Sequence, residues 1–398
     1  MTVAVVGGGQ LARMMSQQAI ALGVRLRALV EAPDAATAQV VPDVVVGAAK
    51  DEAAVREVCR GADVLTVEHE HVDDAQLTRI IGDGIAVRPG PHALRYAQDK
   101  IAMRVRLTEL GVECPRWAQV RTAAELAAFG AEVGWPVVVK TPRGGYDGKG
   151  VRFAHSPDDV ADWLADLERG VVTVEGLGGE GGHELLVEER VPFTRELAVL
   201  VARRPGDYHA EIRAWPVVET VQAGGICSEV IAPAPGLPPE AARHAQEMAA
   251  TVARGLDVTG VLAVEMFAVE DESGVRLSVN ELAMRPHNSG HWTIEGSVTS
   301  QFEQHLRAVL DLPLGDTSAR QPYAVMVNLL GSELSDPLDA YPRLMAAFPD
   351  VKVHFYGKAV RPGRKLGHVT ALGEDPATLR ARANAAVAIL RGDEEERG

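Results

Sequence analysis

Four glycines in seven residues, Gly144-Gly145-Tyr146-Asp147-Gly148-Lys149-Gly150, follow a short apolar run that ends in a lysine, Val137-Val138-Val139-Lys140. Glycine loses more backbone freedom on folding than any other residue, so a plain surface turn is a costly use of such a run. A flap whose backbone N–H groups close over phosphates accounts for the glycines and for the cationic Lys149 together. The spacing does not match G-x-x-x-x-G-K-[ST], which excludes a Walker A loop. Tyr146 and Asp147 are not needed to cradle phosphate. Asp147 either accepts a proton from a nucleophile or simply favours the turn, and both readings stay open.

At 398 residues the chain exceeds one ordinary core; roughly 100–200 residues per domain gives two to four domains. Up to about residue 95, apolar runs at 3–6, 26–30, 44–46, 64–67 and 85–87 alternate with helical patterns at 10–22, 51–59 and 74–81. Strands that are apolar on both faces and spaced by helices predict a parallel sheet covered on both sides. From about Asp99 the texture changes. A helix over 100–110 leads to strands at 137–140 and 151–154, a helix near 157–167 and a flexible glycine-rich turn at 176–182. Beyond it, longer strands at 185–190, 196–202, 208–218, 261–269 and 275–282 read as antiparallel, covered by helices at 240–255 and 300–310.

Gly7-x-Gly9-x-x-Ala12 follows the first strand and opens a helix, with Glu31 ending the second strand. That pattern fits a dinucleotide fingerprint, a site for some other phosphate, or a tight turn. A second constellation lies on a hairpin. Alternation puts Val261, Ala263, Glu265, Phe267 and Val269 on one face, and Leu277, Val279 and Glu281 on one face of the returning strand. A loop centred on Ser273 sets Glu265 opposite Glu281. Like charges there destabilise the sheet unless a cation lies between them, and Mg²⁺ with Asn280 nearby is the economical answer.

Lys and Arg number 40 against 55 Asp and Glu, a net charge of −15, which disfavours broad nucleic-acid or anionic-membrane binding. The basic run Arg361-Pro362-Gly363-Arg364-Lys365 stands out against that background as a local site for a small anion. The three cysteines, Cys59, Cys114 and Cys227, lack CxxC spacing and predict neither a disulfide framework nor a zinc site. No stretch approaches the about 18–20 apolar residues of a membrane span. The N-terminus carries no basic n-region, so the expected location is the cytoplasm.

The lysine-ended strand before a glycine flap, the stretch Glu188-Glu189-Arg190-Val191, and Glu265 with Asn280-Glu281 on two strands resemble the ATP-grasp ligases. Within them, four segments resemble one family over nearly the whole chain: Gly7-Gly8-Gly9-Gln10-Leu11, the run 144–150, His287-Asn288-Ser289-Gly290-His291-Trp292, and Arg361-Pro362-Gly363-Arg364-Lys365-x-Gly367-His368. That family is the 5-(carboxyamino)imidazole ribonucleotide synthases of purine biosynthesis. The resemblance implies an α/β fold, α+β toward its C-terminal part: a Rossmann-like domain over 1–98 ahead of an ATP-grasp fold. The latter comprises a small lid domain with the flap over 99–186 and a large domain over 187–392, before a charged, disordered tail over 393–398.

It further implies ATP-dependent carboxylation of 5-aminoimidazole ribonucleotide with bicarbonate, through carboxyphosphate, by a homodimer that uses Mg²⁺. Carried over by position, Lys100 and Lys140 hold ATP phosphates, and Gly145, Tyr146, Asp147, Gly148, Lys149, Gly150 and Val151 form the flap. Glu188, Glu189, Arg190 and Val191 grip adenine through backbone groups, Glu196 takes the ribose, Gln222 and Asn280 border the nucleotide, and Glu265 with Glu281 bind Mg²⁺. Gly9, Gln10, Leu11, Glu68, Arg285, His287, Asn288, Lys358, Arg364 and Lys365 surround the acceptor; Tyr146, Asp147, Lys358 and Arg364 carry the catalytic expectations. Gln222 stands where the family usually has histidine, and Ala12 replaces a frequent glycine. The competing expectations are an ATP-grasp ligase with another acceptor, an NAD-dependent dehydrogenase, and a non-catalytic nucleotide-binding regulator.

Overall fold

The computed structural model describes residues 1–144, 150–169 and 184–393; the expected flap residues 145–149, the glycine-rich turn at 176–182 and all but Asp393 of the expected tail lie outside the described residues. The chain opens with strands β1 (Thr2–Val6), β2 (Arg25–Val30), β3 (Val44–Val46), β4 (Val64–Val67) and β5 (Ala86–Val87), paired in parallel in the order β3-β2-β1-β4-β5. Val3, Ala4, Val5 and Val6 are all fully buried, as both faces of the sheet are covered. Ala4 and Val6 pack with helices α2 (Glu52–Val58) and α3 (Asp74–Gly82), while Val3 and Val5 pack with α1 (Gln10–Ala21).

Helix α4 (Pro91–Gln98) meets α5 (Lys100–Glu109) at Asp99, whose carboxylate accepts from Ala102 N at 3.0 Å and caps α5. The next sheet is antiparallel: β6 (Trp117–Val120), β7 (Val137–Lys140), β8 (Val151–Ala154) and β9 (Leu185–Glu189), in the order β6-β9-β7-β8. Helices α6 (Ala123–Val133) and α7 (Ala161–Glu168) cover it, with Val137, Val139, Leu126 and Trp163 in its core. The boundary expected at 186/187 falls inside β9, which hydrogen-bonds to β6 and β7, so this small sheet runs on to Glu189.

The large sheet starts with β10 (Arg195–Arg203). The single strand expected over 208–218 is instead two, β11 (Ile212–Ala214) and β12 (Val218–Ala223), both paired with β10. Pro216 between them has no N–H to offer a ladder, and Trp215 is fully buried with its Nε1 donating to Thr299 O at 3.1 Å. Strand β13 (Ile226–Ala232), helix α8 (Pro239–Gly255) and the hairpin β14 (Gly260–Asp271) and β15 (Gly274–Ala283) follow. Short α9 (Thr293–Gly296) and α10 (Gln301–Val309) lead to β16 (Tyr323–Leu330), α11 (Tyr341–Ala347), β17 (Lys352–Phe355), β18 (Lys365–Gly373) and α12 (Pro376–Arg391). The order β15-β14-β10-β12-β13-β16-β18-β17 makes one antiparallel sheet that reaches to the last strands, and β15 is an edge.

Helix α10 fastens this sheet to the parallel one. Phe302, Leu306 and Val309 pack among Leu11, Met14, Met15 and Val5. Beside them buried His305 accepts from Val261 N through Nδ1 at 3.1 Å, which leaves the proton on Nε2, 2.8 Å from Thr66 Oγ1. Burial pushes His305 down to about 3, so the link is made by a neutral ring. Phe302→Ala is expected to destabilise the protein by about 3–5 kcal/mol, read from denaturant unfolding, because the cavity opens at this junction.

Candidate active site

Asp271 pairs with Gly274 across a two-residue turn, and regular pairing runs down the hairpin to Met266 opposite Val279. There the register shifts: a β-bulge gives Asn280 no partner of its own and sets Glu281 opposite Glu265. The expected pairing of the two carboxylates therefore holds, but the expected sharing of a face by Leu277, Val279 and Glu281 does not. Leu277 and Val279 point into the core beneath α8 with Met266 and Ala268, whereas the bulge turns Glu281 to the other face with Glu265. On β10, Glu196 lies opposite Phe267 and Ala198 opposite Glu265, so Glu196 joins the same face. Gln222 reaches it from β12, two positions beyond Thr220, which pairs with Glu196.

Three carboxylates on one face disturb one another. Burial, reinforced by the charge of Glu265, pushes Glu196 up to about 7, and the same two causes raise Glu281. Glu265 is held below its ordinary value: burial works to raise it, but His287 overcomes this with an Nε2–Oε1 contact of 3.1 Å. Ser289 N donates to His287 Nδ1 at 3.3 Å, which directs the ring's proton toward Glu265. Glu265, Glu281 and the Asn280 amide are hard oxygen donors carrying surplus negative charge, so they fit Mg²⁺. Among the described residues no third His, Cys, Asp or Glu completes a metal cluster, and phosphate oxygens and water would fill the remaining positions.

Cations come from the small lobe. Lys140, at the end of β7, sits 2.7 Å from Glu188 Oε2 and 3.4 Å from Asn280 Oδ1. Glu188 also accepts from Arg104 Nε at 2.5 Å, and Arg104 is completely buried. Burial would raise the Glu188 carboxyl, yet the charges of Arg104 and Lys140 hold it down at about 2. Lys100 Nζ donates to Gly144 O at 2.7 Å, just before the expected flap, and burial lowers its pKa. Thr141 N donates to Gly150 O, next to Val151. Glu188's side chain is thus committed, Glu189 pairs with Arg116 at 3.0 Å, and Arg190 lies over the Phe153 ring. The Glu188 and Glu189 side chains are therefore engaged elsewhere, in keeping with an adenine grip expected through backbone groups. Gly145, Tyr146, Asp147, Gly148 and Lys149 lie outside the described residues.

On the other side, the Gly7–Ala12 turn does not present a phosphate site. Glu68 places its carboxylate there, accepting from Gly9 N and from Ala12 N at 2.8 Å. A Cβ at Gly7 or Gly9 would collide with the Glu68 side chain, so these glycines make room for a carboxylate and the dinucleotide reading is corrected. Leu11 is a core residue with its side chain among Met14 and Met15. Gln10 accepts from Lys358 Nζ, and Gln39 Nε2 donates to Gly357 O at 2.7 Å, docking the loop after β17 onto the parallel-sheet domain. Tyr356 anchors that loop from inside, its hydroxyl 2.8 Å from His368 Nδ1. Burial brings Lys358 down to about 8. Arg285 pairs with Glu70 at 3.0 Å, Asn288 sits by Cys227, Arg364 donates to Ala359 O at 3.1 Å, and Lys365 begins β18. Arg104, Glu70, Gln39 and Tyr356 escaped the sequence reading; none lies in a motif, and only the fold brings them to the site.

Three family models match the chain: a ribonucleotide synthetase preATP-grasp domain over residues 1–98, an ATP-grasp domain over 105–302 and a phosphoribosylaminoimidazole carboxylase C-terminal domain over 324–382. The N5-carboxyaminoimidazole ribonucleotide synthase of Mycobacterium tuberculosis is 52% identical over 387 residues, 96% of this chain and 86% of that one. The synthase of the same name from Corynebacterium ammoniagenes is 46% identical over 98% of this chain and 91% of its own. Among solved structures, N5-carboxyaminoimidazole synthase from Aspergillus clavatus in complex with ADP and 5-aminoimidazole ribonucleotide superposes with a TM-score of 0.83 at 31% identity, covering 98% of each chain.

The Glu188 network gives a stability test. Its folded pKa lies below the unfolded value near 4.5, so its contribution is complete above about 4.5 and is lost as pH falls toward about 2. Glu188→Gln strands two cations, with an expected loss of about 3–5 kcal/mol at neutral pH. Its unfolding free energy, measured in denaturant, is expected to fall less steeply than wild type's between those two pH values.

Proposed function

With a relative 52% identical across 96% of its length, the chain belongs to the N5-carboxyaminoimidazole ribonucleotide synthase family, and we propose that it carboxylates 5-aminoimidazole ribonucleotide with bicarbonate and Mg-ATP. The observation that supports the reading is the convergence of two sets of cations on the carboxylate pair: Lys100 and Lys140 act on Glu281, while Arg285 and Lys365 act on Glu265. We take the first set with the carboxylates as one half-site, and Arg285 with Lys358 and Arg364 against the parallel-sheet domain as the other.

Each half has a chemical task. Bicarbonate is a poor electrophile, and phosphorylation by ATP converts it to carboxyphosphate, which has a good leaving group. Lys100 and Lys140 bind the triphosphate and stabilise charge as it moves to the leaving oxygens. Mg²⁺, held by Glu265 and Glu281 with Asn280 beside them, supplies Lewis-acid neutralisation of the phosphates when bound. Glu196 takes the ribose, and the backbone of Glu188, Glu189, Arg190 and Val191 takes the adenine, with Gln222 at its border. Carboxyphosphate hydrolyses readily, so water must be excluded, which is the task of flap residues Gly145–Val151. Lys358, Arg364 and Lys365 hold the anionic acceptor beside Gln10, while Arg285, His287 and Asn288 face the carboxyl group in transfer. Tyr146 and Asp147 act from the flap, Asp147 as the acceptor of the amine's proton. The Gly9 and Leu11 backbones and Glu68 shape the floor of that pocket. The domain limits expected from the sequence belong to the proposal with one shift, the small lobe ending at Glu189. Family resemblance extends it to a homodimer working in the cytoplasm; no helix among the described residues is long and apolar enough to cross a membrane.

ADP release is expected to require bicarbonate and 5-aminoimidazole ribonucleotide together. Release at the same rate with either one omitted would overturn the reading. The Lys358 ammonium, present below about 8, loses its charge as pH rises through that value. Therefore kcat/KM for the aminoimidazole ribonucleotide is expected to fall above pH about 8, while that for ATP does not share this limb. Lys358→Met is expected to give a low kcat/KM without that limb; a wild-type profile flat through pH 8 would refute the assignment.

A further inference from the structure

Nothing in a two-residue hairpin brings Glu281 opposite Glu265 unaided. Regular pairing beyond Met266–Val279 would set Asn280 against Glu265 and turn Glu281 toward the opposite, apolar face. The extra residue at the bulge prevents this, at the cost of backbone groups left outside the ladder. Because β15 is an edge strand, those groups have no neighbouring strand to pair with among the described residues.

One segment, α5 and the stretch after it, meets both the carbonyl of the bulged Asn280 and the edge-facing groups of Val279 just before it. Val279 N donates to Glu113 O at 2.8 Å. Val279 O accepts from Arg104 Nη1 at 2.9 Å, and Asn280 O accepts from Arg104 Nη2 at 2.8 Å. The remaining edge of the same guanidinium donates to Glu188 at 2.5 Å. Guanidinium is the side-chain group that presents several donors in one rigid plane, and here the plane spans two adjacent carbonyls and a carboxylate. Lys100 lies one turn earlier on the same helix and reaches the flap's foot at Gly144 O.

We propose that Arg104 is a positioning residue whose guanidinium locks the bulge at Asn280 and so holds Glu281 in register with Glu265. Helix α5 then sets the spacing of the carboxylate pair and the height of the flap's base from one rigid body. The inference rests on the reading of Glu265 and Glu281 as the metal-binding pair.

The test uses Arg104→Lys, which keeps a positive charge against Glu188 but cannot serve both carbonyls as well. Mn²⁺ binding in the presence of ADP is followed by the loss of the free-ion EPR signal, with thermal unfolding as a check on folding. Partners outside the ligand set typically govern about 10- to 100-fold in metal affinity, and a weakening of that order is expected here. Faster amide exchange over residues 278–283 than in wild type is expected with it. Deleting Asn280 restores regular pairing with Glu281 opposite Glu265. In that background Arg104→Lys is expected to cost no further Mn²⁺ affinity, the signature of coupling through the bulge. Unchanged Mn²⁺ affinity in Arg104→Lys, or an equal loss with and without Asn280, would overturn the proposal. Should the deletion variant not fold, exchange over 278–283 decides, and wild-type exchange rates in Arg104→Lys would overturn it. None of these measurements needs turnover: a chain that binds Mn²⁺ with ADP but never consumes 5-aminoimidazole ribonucleotide would refute the proposed reaction and leave the lock standing.

Discussion

A carboxylate with almost no exposed surface, Glu188, lies between the guanidinium of Arg104 and the ammonium of Lys140, and the network around it ties the small antiparallel sheet to the β14–β15 hairpin. Burying charge is expensive unless every member is paired and hydrogen-bonded. Here Arg104 directs its donors to the carboxylate and to two carbonyls of the large lobe, and Lys140 reaches both the carboxylate and Asn280. The network therefore imposes geometry as well as neutrality. It fixes where β7 ends relative to the β14–β15 hairpin, the distance that a triphosphate and its cation would span in the proposed site.

The proposed acceptor side is organised differently. Its contacts are hydrogen bonds between segments remote in sequence: Gln10 with Lys358, Gln39 with Gly357, Glu70 with Arg285. Rigidity there comes from beneath, through Tyr356 on His368 and through α10 wedged against the parallel sheet. One half-site is held by buried charge and the other by a docked loop. The proposed reading puts the triphosphate at the first and the acceptor at the second.

The parallel sheet was legible because buried parallel strands are apolar on both faces and their helices carry a regular period, as Val3–Val6 and α1 illustrate. Glu265 and Glu281 were legible because carboxylates amid apolar alternation are conspicuous. The bulge between them was not. Loop centring and a bulge at Asn280 give the same pairing by different routes, and only the second explains why Val279 faces the core. The turn at Gly7–Ala12 stayed open among three readings because its occupant, Glu68, comes from just beyond β4, 59 positions from Gly9. The strand break at Trp215-Pro216 carried a signal, since a proline does not continue a ladder. Arg104 carried none; an arginine on a helix looks solvated until its surroundings are known.

The contact between Gln10 and Lys358 links positions 348 apart in the sequence. Synthesis proceeds from the N-terminus, so Lys140 and the Glu265–Glu281 hairpin emerge before the loop that carries Lys358. At about 5–20 residues per second, roughly 20–70 s separate the emergence of Gln10 from that of Lys358. On the proposed reading, a nascent chain acquires the elements assigned to ATP before the loop and strand assigned to the acceptor, so the part that would make the site a carboxylating one is made last.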